Sequence, residues 1–456
     1  VATEWTPHDY QLRAVQQMVS KAGFGLFAEP GLGKTSTTLA AFSVLKDTGH
    51  ARGLLVVAPL RPAYQVWPQE IAKWTDFNGL RVAILHGPKK AAALQSKADV
   101  YVINYEGLPW LMKQLAGMKV LPFDVLCLDE STKVKNTNTV RFKTAKHLRD
   151  RFSRVWCLTG TPAPNGIENL FGQIFMLDGG ERLGRYVTHF RREYFTESPQ
   201  RGGYSLWFPR KDTQARIQAK VADVTLSLSA EEYLSMPRVI ENIIRVTLPA
   251  PSRSLYRDME NEFIAQLESG VVTAANAAVI GMKLRQMTGG AVYGANGVGE
   301  MHEAKLEALA DLVEEQEGQP LIVAVAFTHE VARIRKYLGD AKIPYLGDGV
   351  SPAAVNTIVD DWNAGRIPVL LAHPTTVALG LNLQSGGCAV CWYSLTWNLE
   401  EFDQTNRRVW RQGQKKPVTF HYLIADDTID GDVLDALRSK DRSQRTLMNA
   451  LRGKSK

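Results

Sequence analysis

Short apolar runs, most of them β-branched, recur along the chain at Gly25 to Phe27, Leu54 to Pro59, Val82 to His86, Val100 to Tyr105, Val125 to Glu130 and Val155 to Thr161. A helical pattern with Leu12, Val15, Met18 and Val19 on its apolar side precedes them, and amphipathic stretches such as Ser36 to Leu45 and Thr144 to Arg151 lie between them. Continuously apolar strands alternating with helices predict a parallel sheet covered on both faces. Such sheets bind ligands beyond the carboxyl ends of their strands, so the polar residues closing these runs should line one crevice. From about Asn169 to Met301 the rhythm breaks. Helical pieces stand at Arg253 to Leu267 and Ala274 to Gln286, and Gly289 to Ala291 and Gly294 to Gly299 read as loops. The alternation resumes with Pro320 to Phe327, Ile343 to Gly347, Pro368 to His373, Cys388 to Tyr393 and Val418 to Ile424, followed by terminal helices after Gly431. The expected fold is α/β, with two parallel-sheet lobes in tandem over 1–232 and 301–456 and a partly helical insertion or linker over 233–300.

With 456 residues, 45% of them hydrophobic, the chain can bury two or three cores. No apolar stretch approaches the roughly 20 residues that a membrane helix needs, and Val1 to Trp5 lacks the basic and hydrophobic blocks of a signal peptide. A cytoplasmic or nucleoid protein is expected, with no membrane partner and as a monomer. Cys127, Cys157, Cys388 and Cys391 lie in strand-like runs and read as reduced core residues; Cys388 and Cys391 have zinc-compatible spacing but no second pair nearby. The net charge of +7 favours a polyanionic partner. The excess concentrates at residues 438–456, and basic residues from Arg191 to Lys220 alternate with Tyr194, Phe195, Tyr204, Trp207 and Phe208. That interleaving fits sugar-phosphate contacts and a solvated basic face over core aromatics equally well.

The chemistry centres on Ala28-Glu29-Pro30-Gly31-Leu32-Gly33-Lys34-Thr35. A glycine-rich turn from a strand into a helix lets backbone N–H groups converge on a polyphosphate, with Lys34 reaching the outer phosphates and the Thr35 hydroxyl ligating magnesium. The strand Val125 to Asp129 ends on two acids. Asp129 suits the magnesium-side carboxylate and Glu130 the base that activates water. Alone the pair could equally cap a helix; beside the Lys34 loop the catalytic reading prevails. Thr159-Gly160-Thr161-Pro162 with Asn165 could sense the γ-phosphate or form an ordinary helix-capping turn. In the second half, Arg408 and Arg411 stand three residues apart on an expected helix, where two guanidiniums could stabilise transition-state charge.

Gln11, the loop ending in Lys34-Thr35, Val57-Ala58-Pro59, Asp129-Glu130, Leu158 to Pro162, Gly380-Leu381-Asn382-Leu383 and the Gln404 to Gln414 run occur in the order found in superfamily-two helicase motors. The Arg-x-x-Arg-x-Gly-Gln ending, Leu284-Arg285-Gln286 and Trp397-Asn398 resemble the Swi/Snf-related DNA translocase branch. The resemblance implies two RecA-like lobes, ATP and Mg2+ as cofactors, and double-stranded DNA as partner. It also implies an adenine contact for Gln11, phosphate contacts for Gly31, Gly33, Lys34 and Thr35, and metal contacts for Thr35 and Asp129. Gly380 would allow close approach to ribose and phosphates, Gln404 would support the Arg408 and Arg411 fingers, and Arg61, Asn104, Tyr105, Thr375, Thr376, Trp397 and Asn398 would face DNA. Ser131-Thr132 departs from the branch's usual Gly-His or Ala-His, Arg407 stands where an acid is frequent, and Val377-Ala378-Leu379 replaces a more glycine-rich approach to Gly380. The short insertion, without an attached histone-reading, zinc or nuclease module, points to the minimal prokaryotic or phage type.

Three activities are compatible with these residues: translocation along duplex DNA, strand separation with a pin hidden in 196–210, and an ATP-gated DNA clamp. Intact Lys34, Glu130, Arg408 and Arg411 argue against the clamp. Neutralising the basic cluster after Arg438 should weaken DNA binding and flatten its salt dependence, measured by titration at several salt concentrations; unchanged affinity would return the tail to a solvated face.

Overall fold

The computed structural model describes residues 2–60, 62–164, 166–199, 205–269, 274–294, 297–378 and 380–452. Arg61, Asn165 and Leu379 lie outside them, as do the side chains of the terminal basic cluster from residue 444 onward. The chain divides into two units, one comprising Val1–Glu197, Trp207–Leu234 and Arg442–Lys456 and the other Ser198–Leu206 and Ser235–Asp441.

The first unit is built on strands β1 (Gly23–Ala28), β2 (Leu54–Ala58), β3 (Val82–Ile84), β4 (Val100–Asn104), β5 (Val125–Asp129), β6 (Arg154–Thr159) and β9 (Thr225–Leu228). Their order across the sheet is β3-β4-β2-β5-β6-β1-β9, and every pairing is parallel. The central strands are buried along their length, because a parallel sheet with helices on both faces leaves no wet side. Register fixes the catalytic edge. Ala58 pairs with Asn104, Asp129 with Leu158, Phe27 with Thr159 and Ala28 with Leu228. The carboxyl ends of six strands therefore finish at nearly one level. Two further strands, β7 (Phe195–Pro199) and β8 (Ser205–Pro209), form a separate two-stranded sheet at the place where a pin was considered.

The second unit holds β10 (Val239–Val246), β13 (Leu321–Ala324), β14 (Tyr345–Leu346), β15 (Val369–Ala372), β16 (Ala389–Trp392) and β17 (Val418–Ala425), in the order β10-β17-β16-β13-β15-β14. All pairings within this six-stranded sheet are parallel. The stretch 233–300 is not a separate linker. Its β10 runs the full length of β17, and Tyr256, Leu284 and Met287 from its two helices form one apolar cluster against Ile429. Within the stretch Gly294 to Gly299, expected as a loop, the described residues belong to the antiparallel strands β11 (Ala291–Gly294) and β12 (Gly297–Glu300), since backbone pairing requires little from the side chains. The terminal helices are one element, Ile429–Arg452.

A buried polar network holds the 250–303 region in this unit. Lys305 and Asp430 are 1% and 5% exposed at the side chain and meet at 2.6 Å. Lys305 also donates to the Tyr393 carbonyl, and Asp430 accepts from the Thr288 hydroxyl and the Ala425 N–H. Arg333 donates to the carbonyls of Gly289 and His302. Removing one member of a buried pair strands the other charge. Lys305→Met should therefore lower the stability of this unit by about 3–5 kcal/mol in urea unfolding.

Candidate active site

The β1 strand turns into the helix Lys34–Asp47 through a loop whose glycines are conformationally required. Gly31 and Gly33 have φ of 93° and 71°, and a Cβ on Gly33 would stand 2.3 Å from Nε2 of Gln11. That contact exists because Gln11, 5% exposed, accepts from the His8 N–H at 2.9 Å and donates to the Leu32 carbonyl at 3.3 Å. The structure thus gives Gln11 a bracing role beneath the loop, where the resemblance implied an adenine contact. The Lys34 ammonium donates to the Ala28 carbonyl at 2.6 Å, so the charge lies within the loop it follows.

The hydroxyls in the first turn of this helix separate by role. Ser36 and Thr37 donate to the Gly33 carbonyl and Thr38 to the Lys34 carbonyl. Among the described residues, the Thr35 hydroxyl makes no such bond, which leaves it available as a ligand.

Asp129 at the end of β5 accepts from the Trp67 indole N–H through Oδ2 at 2.9 Å and from the Glu130 N–H through Oδ1 at 3.1 Å. Burial pushes its carboxyl above the ordinary range, against the Trp67 bond, the Lys34 charge and the Glu130 N–H, which act the other way. A carboxylate taken out of water is costly unless a cation faces it, and a carboxylate and a hydroxyl are both of the hard oxygen chemistry that Mg2+ takes. Glu130 has φ of 50°. A left-handed backbone costs a non-glycine residue on the order of 1 kcal/mol, strain of the kind concentrated at functional sites.

The next residue answers a question left by the sequence. Ser131 is fully buried and donates to Oε1 of Gln173 at 2.8 Å, while Nε2 of Gln173 donates to the Pro162 carbonyl at 2.6 Å and the Asn169 carbonyl at 3.0 Å. The acid pair is thereby tied to the Thr159–Pro162 turn through one satisfied amide. In that turn the Thr159 hydroxyl accepts from the Thr161 N–H, and the Thr161 hydroxyl is buried without a hydrogen-bond partner among the described residues. Gly160 packs on Pro30 of the phosphate loop. Gln173 was not expected from the sequence, because a glutamine within an apolar helix carries no motif signal.

Beside the loop lies a pocket of about 490 Å3 lined by His8, Asp9, Tyr10, Arg13 and Tyr233. The rings of His8 and Tyr10 stack at 5.3 Å, Tyr10 and Tyr233 meet at 4.6 Å, and Arg13 donates to the Tyr233 hydroxyl at 3.3 Å. Tyr233 is brought there by β9. Glu29 donates its N–H to the Leu228 carbonyl and accepts from the Ala230 N–H, which starts the short helix Ala230–Tyr233. Neither Arg13 nor Tyr233 could be found from sequence, because the pairing of β9 with β1 joins residues some 200 positions apart.

In the second unit, Gly380 has φ of 98°, consistent with a glycine requirement. The helix expected to carry Arg408 and Arg411 ends earlier, at Asn406. Both arginines stand in successive turns closed by Arg408 N–H to Thr405, Val409 N–H to Asn406 and Gln414 N–H to Arg411. The physical reason is anchoring: Val409 is fully buried, the Trp410 indole donates to the Pro237 carbonyl, and the Gln414 amide donates to the carbonyls of Gln384 and Gly387. Arg408 donates to the Ala378 carbonyl at 2.5 Å. Arg411 is half-buried, and burial lowers its pKa. Arg407, in the place of the family's acid, pairs with Asp403 and packs over Trp410. Gln404 is half-buried on the preceding helix.

Of the DNA-facing candidates, Tyr105 is corrected. It is 1% exposed, and its hydroxyl donates to the Asp129 carbonyl at 2.8 Å, so it faces the acid strand and not solvent. Asn104 accepts from the Tyr64 hydroxyl and donates to Glu106. Thr375 is exposed, Thr376 half-buried and Trp397 39% exposed, while Asn398 caps the helix Leu399–Asn406. In the basic and aromatic region, Tyr194 and Phe195 are buried, and Arg191, Arg210, Arg216 and Lys220 make intramolecular bonds or ion pairs, which favours the core reading there. Trp207 and Phe208 stay partly or largely exposed.

Residues 10–289 match the SNF2-related domain, and residues 304–413 match the helicase conserved C-terminal domain. The chain belongs to the SNF2-related family. It is a helicase-like ATP hydrolase of the Swi/Snf-related branch, with two parallel-sheet units in tandem. It is 34% identical over 99% of both chains to the protein p41 of Acyrthosiphon pisum secondary endosymbiont phage 1. It is 25% identical over 94% of its length to the ISWI chromatin-remodeling complex ATPase ISW1 of Saccharomyces cerevisiae, of which it spans 39%. Among solved structures, the Sulfolobus solfataricus SWI2/SNF2 ATPase core in complex with dsDNA is 21% identical, with a TM-score of 0.45, over 98% of this chain and 94% of that one.

In this SNF2-related protein the Gln173 amide joins the acid pair to the Thr159–Pro162 turn. Gln173→Leu removes the acceptor of the Ser131 hydroxyl and one donor from each of the Pro162 and Asn169 carbonyls. It should cost on the order of 2 kcal/mol in unfolding experiments and lower kcat for ATP more than it changes KM.

Proposed function

We propose that this protein is a DNA-stimulated, Mg2+-dependent ATPase that moves along double-stranded DNA and remodels the DNA or what is bound to it. The observation that carries the reading is the single strand-end level holding the Gly31–Thr35 loop, Asp129, Glu130 and the Thr159–Pro162 turn. Bound ATP would lay its phosphates on the loop N–H groups and Lys34, with the base stacked in the pocket of His8, Tyr10 and Tyr233. The Thr35 hydroxyl and Asp129 would hold Mg2+, which would supply charge neutralisation at the phosphates. Glu130 orients and deprotonates the attacking water, and Arg408 and Arg411, supported by Gln404, stabilise charge as the terminal phosphoryl leaves. Gly380 admits the nucleotide's ribose and phosphates to the backbone.

The DNA contacts fall to Arg61, Asn104, Thr375, Thr376, Trp397 and Asn398, at or beside strand ends of the two sheets. Membership of the Swi/Snf-related branch and the positive charge of the chain support duplex DNA as the substrate. Strand separation is favoured by one observation, the two-stranded β7–β8 sheet where a pin could stand.

Steady-state ATPase measured with single-stranded, double-stranded and forked DNA tests the reading. Duplex DNA should stimulate turnover strongly, and the protein should displace a triplex-forming strand without unwinding a tailed duplex. Unwinding would favour the strand-separating helicase, and equal turnover with and without DNA would favour an ATP-gated clamp. Glu130→Gln should retain ATP binding and abolish turnover; a variant that still hydrolyses ATP would remove Glu130 from the role of base.

A further inference from the structure

Two buried aromatic side chains reach Asp129 from the strand ends proposed to face DNA, one at its carboxylate and one at its backbone carbonyl. The strand β2 ends at Ala58, level with Asn104 on β4 and beside Asp129 on β5. After Ala58 the chain enters a π-helical turn, Pro62–Val66, and continues as the helix Trp67–Lys73. Turns of this rare type cluster at functional sites. Trp67 opens the helix, is fully buried, and gives its indole N–H to Oδ2 of Asp129 at 2.9 Å. From the other side, Tyr105 opens the turn after β4 and gives its hydroxyl to the Asp129 carbonyl at 2.8 Å.

The outer ends of these two segments are joined as well. Tyr64, three residues before Trp67, is half-buried, stacks on exposed His86 at 4.4 Å and donates to Oδ1 of Asn104, the residue before Tyr105, at 2.8 Å. Each segment thus has a half-buried polar group at the strand-end surface and a fully buried donor on Asp129.

We propose that Trp67 and Tyr105 are positioning residues for Asp129, and that through them a polynucleotide resting on the Tyr64–Asn104 surface sets the orientation of the metal-side carboxylate. This rests on the proposed DNA-stimulated ATPase. The physical basis is that the Trp67 bond fixes which Asp129 oxygen lone pairs remain for a cation, and a partner of this kind typically governs metal affinity about 10–100-fold. A small displacement of either segment moves a donor that has a single acceptor. Neither side chain contacts the reacting atoms.

The test uses the full chain carrying 5-fluorotryptophan, with the Trp67 resonance assigned by its loss in Trp67→Phe. The expected result is a shift of that resonance when a duplex oligonucleotide is added without nucleotide, and a second shift when Mg2+ is added to the complex with a non-hydrolysable ATP analogue. Tyr105→Phe removes one oxygen from a ring that otherwise packs unchanged, so it serves if Trp67→Phe does not fold. Trp67→Phe should reduce DNA-stimulated kcat about tenfold, the scale of one hydrogen bond to a charged group, and Tyr105→Phe about fivefold, the scale of one to a neutral carbonyl, each with duplex affinity within about twofold of the parent. A Trp67 resonance indifferent to duplex, or unchanged DNA stimulation in both variants, overturns the proposal while leaving the ATPase reading intact. Absence of DNA stimulation in the unmodified protein overturns both.

Discussion

The structure depends most on one constraint, a strand-end carboxylate whose charge is opposed by burial and supported by donors from several elements. Asp129 ends a buried strand, and burial works against its charge. Its surroundings oppose that cost by several means at once: the indole N–H of Trp67, the N–H of Glu130 and the field of Lys34. Each comes from a different element, so the carboxylate can be satisfied only when β1, β5 and the helix after β2 are in register. The strained backbone of Glu130 is tolerated for the same reason: Ser131 just beyond it is pinned to Gln173.

The phosphate loop is prepared in a comparable way. Glycines at 31 and 33 supply the left-handed turns, Gln11 supports the loop from beneath, and Glu29 ties it to β9. A loop already bent to its binding shape loses little entropy when a polyphosphate arrives. The tie to β9 also delivers Tyr233 to the aromatic pocket, so the shape of the loop and the pocket beside it share one structural cause.

In the second unit the arginine run is shaped by its anchors. A regular helix through Arg411 would not give the conformation in which Val409 is buried, Trp410 bonded to Pro237 and Gln414 bonded to the 384–387 loop, so the chain turns at each of them. The Lys305–Asp430 pair acts in the same unit as a registry device. It joins the start of one helix to the end of β17 and, through Thr288, to a region that the sequence had set apart.

By itself the sequence determined the class of fold, the succession of strands along the chain and the candidates for the chemistry. Continuous apolar runs, glycine-rich turns and acids at strand ends are local consequences of burial and backbone sterics, legible within ten residues of themselves. Lys34, Thr35, Asp129 and Glu130 were singled out that way as candidates. The tertiary structure alone decided what depends on pairing between distant segments. It moved β10 and the helices of 250–288 into the second sheet's unit, ended the arginine helix at Asn406, and turned Tyr105 inward to Asp129. It also brought in Trp67, Gln173, Arg13 and Tyr233, residues whose side-chain types occur in any core. Their roles come from hydrogen bonds and ring contacts across the sheet, and no local pattern encodes which strand lies next to which.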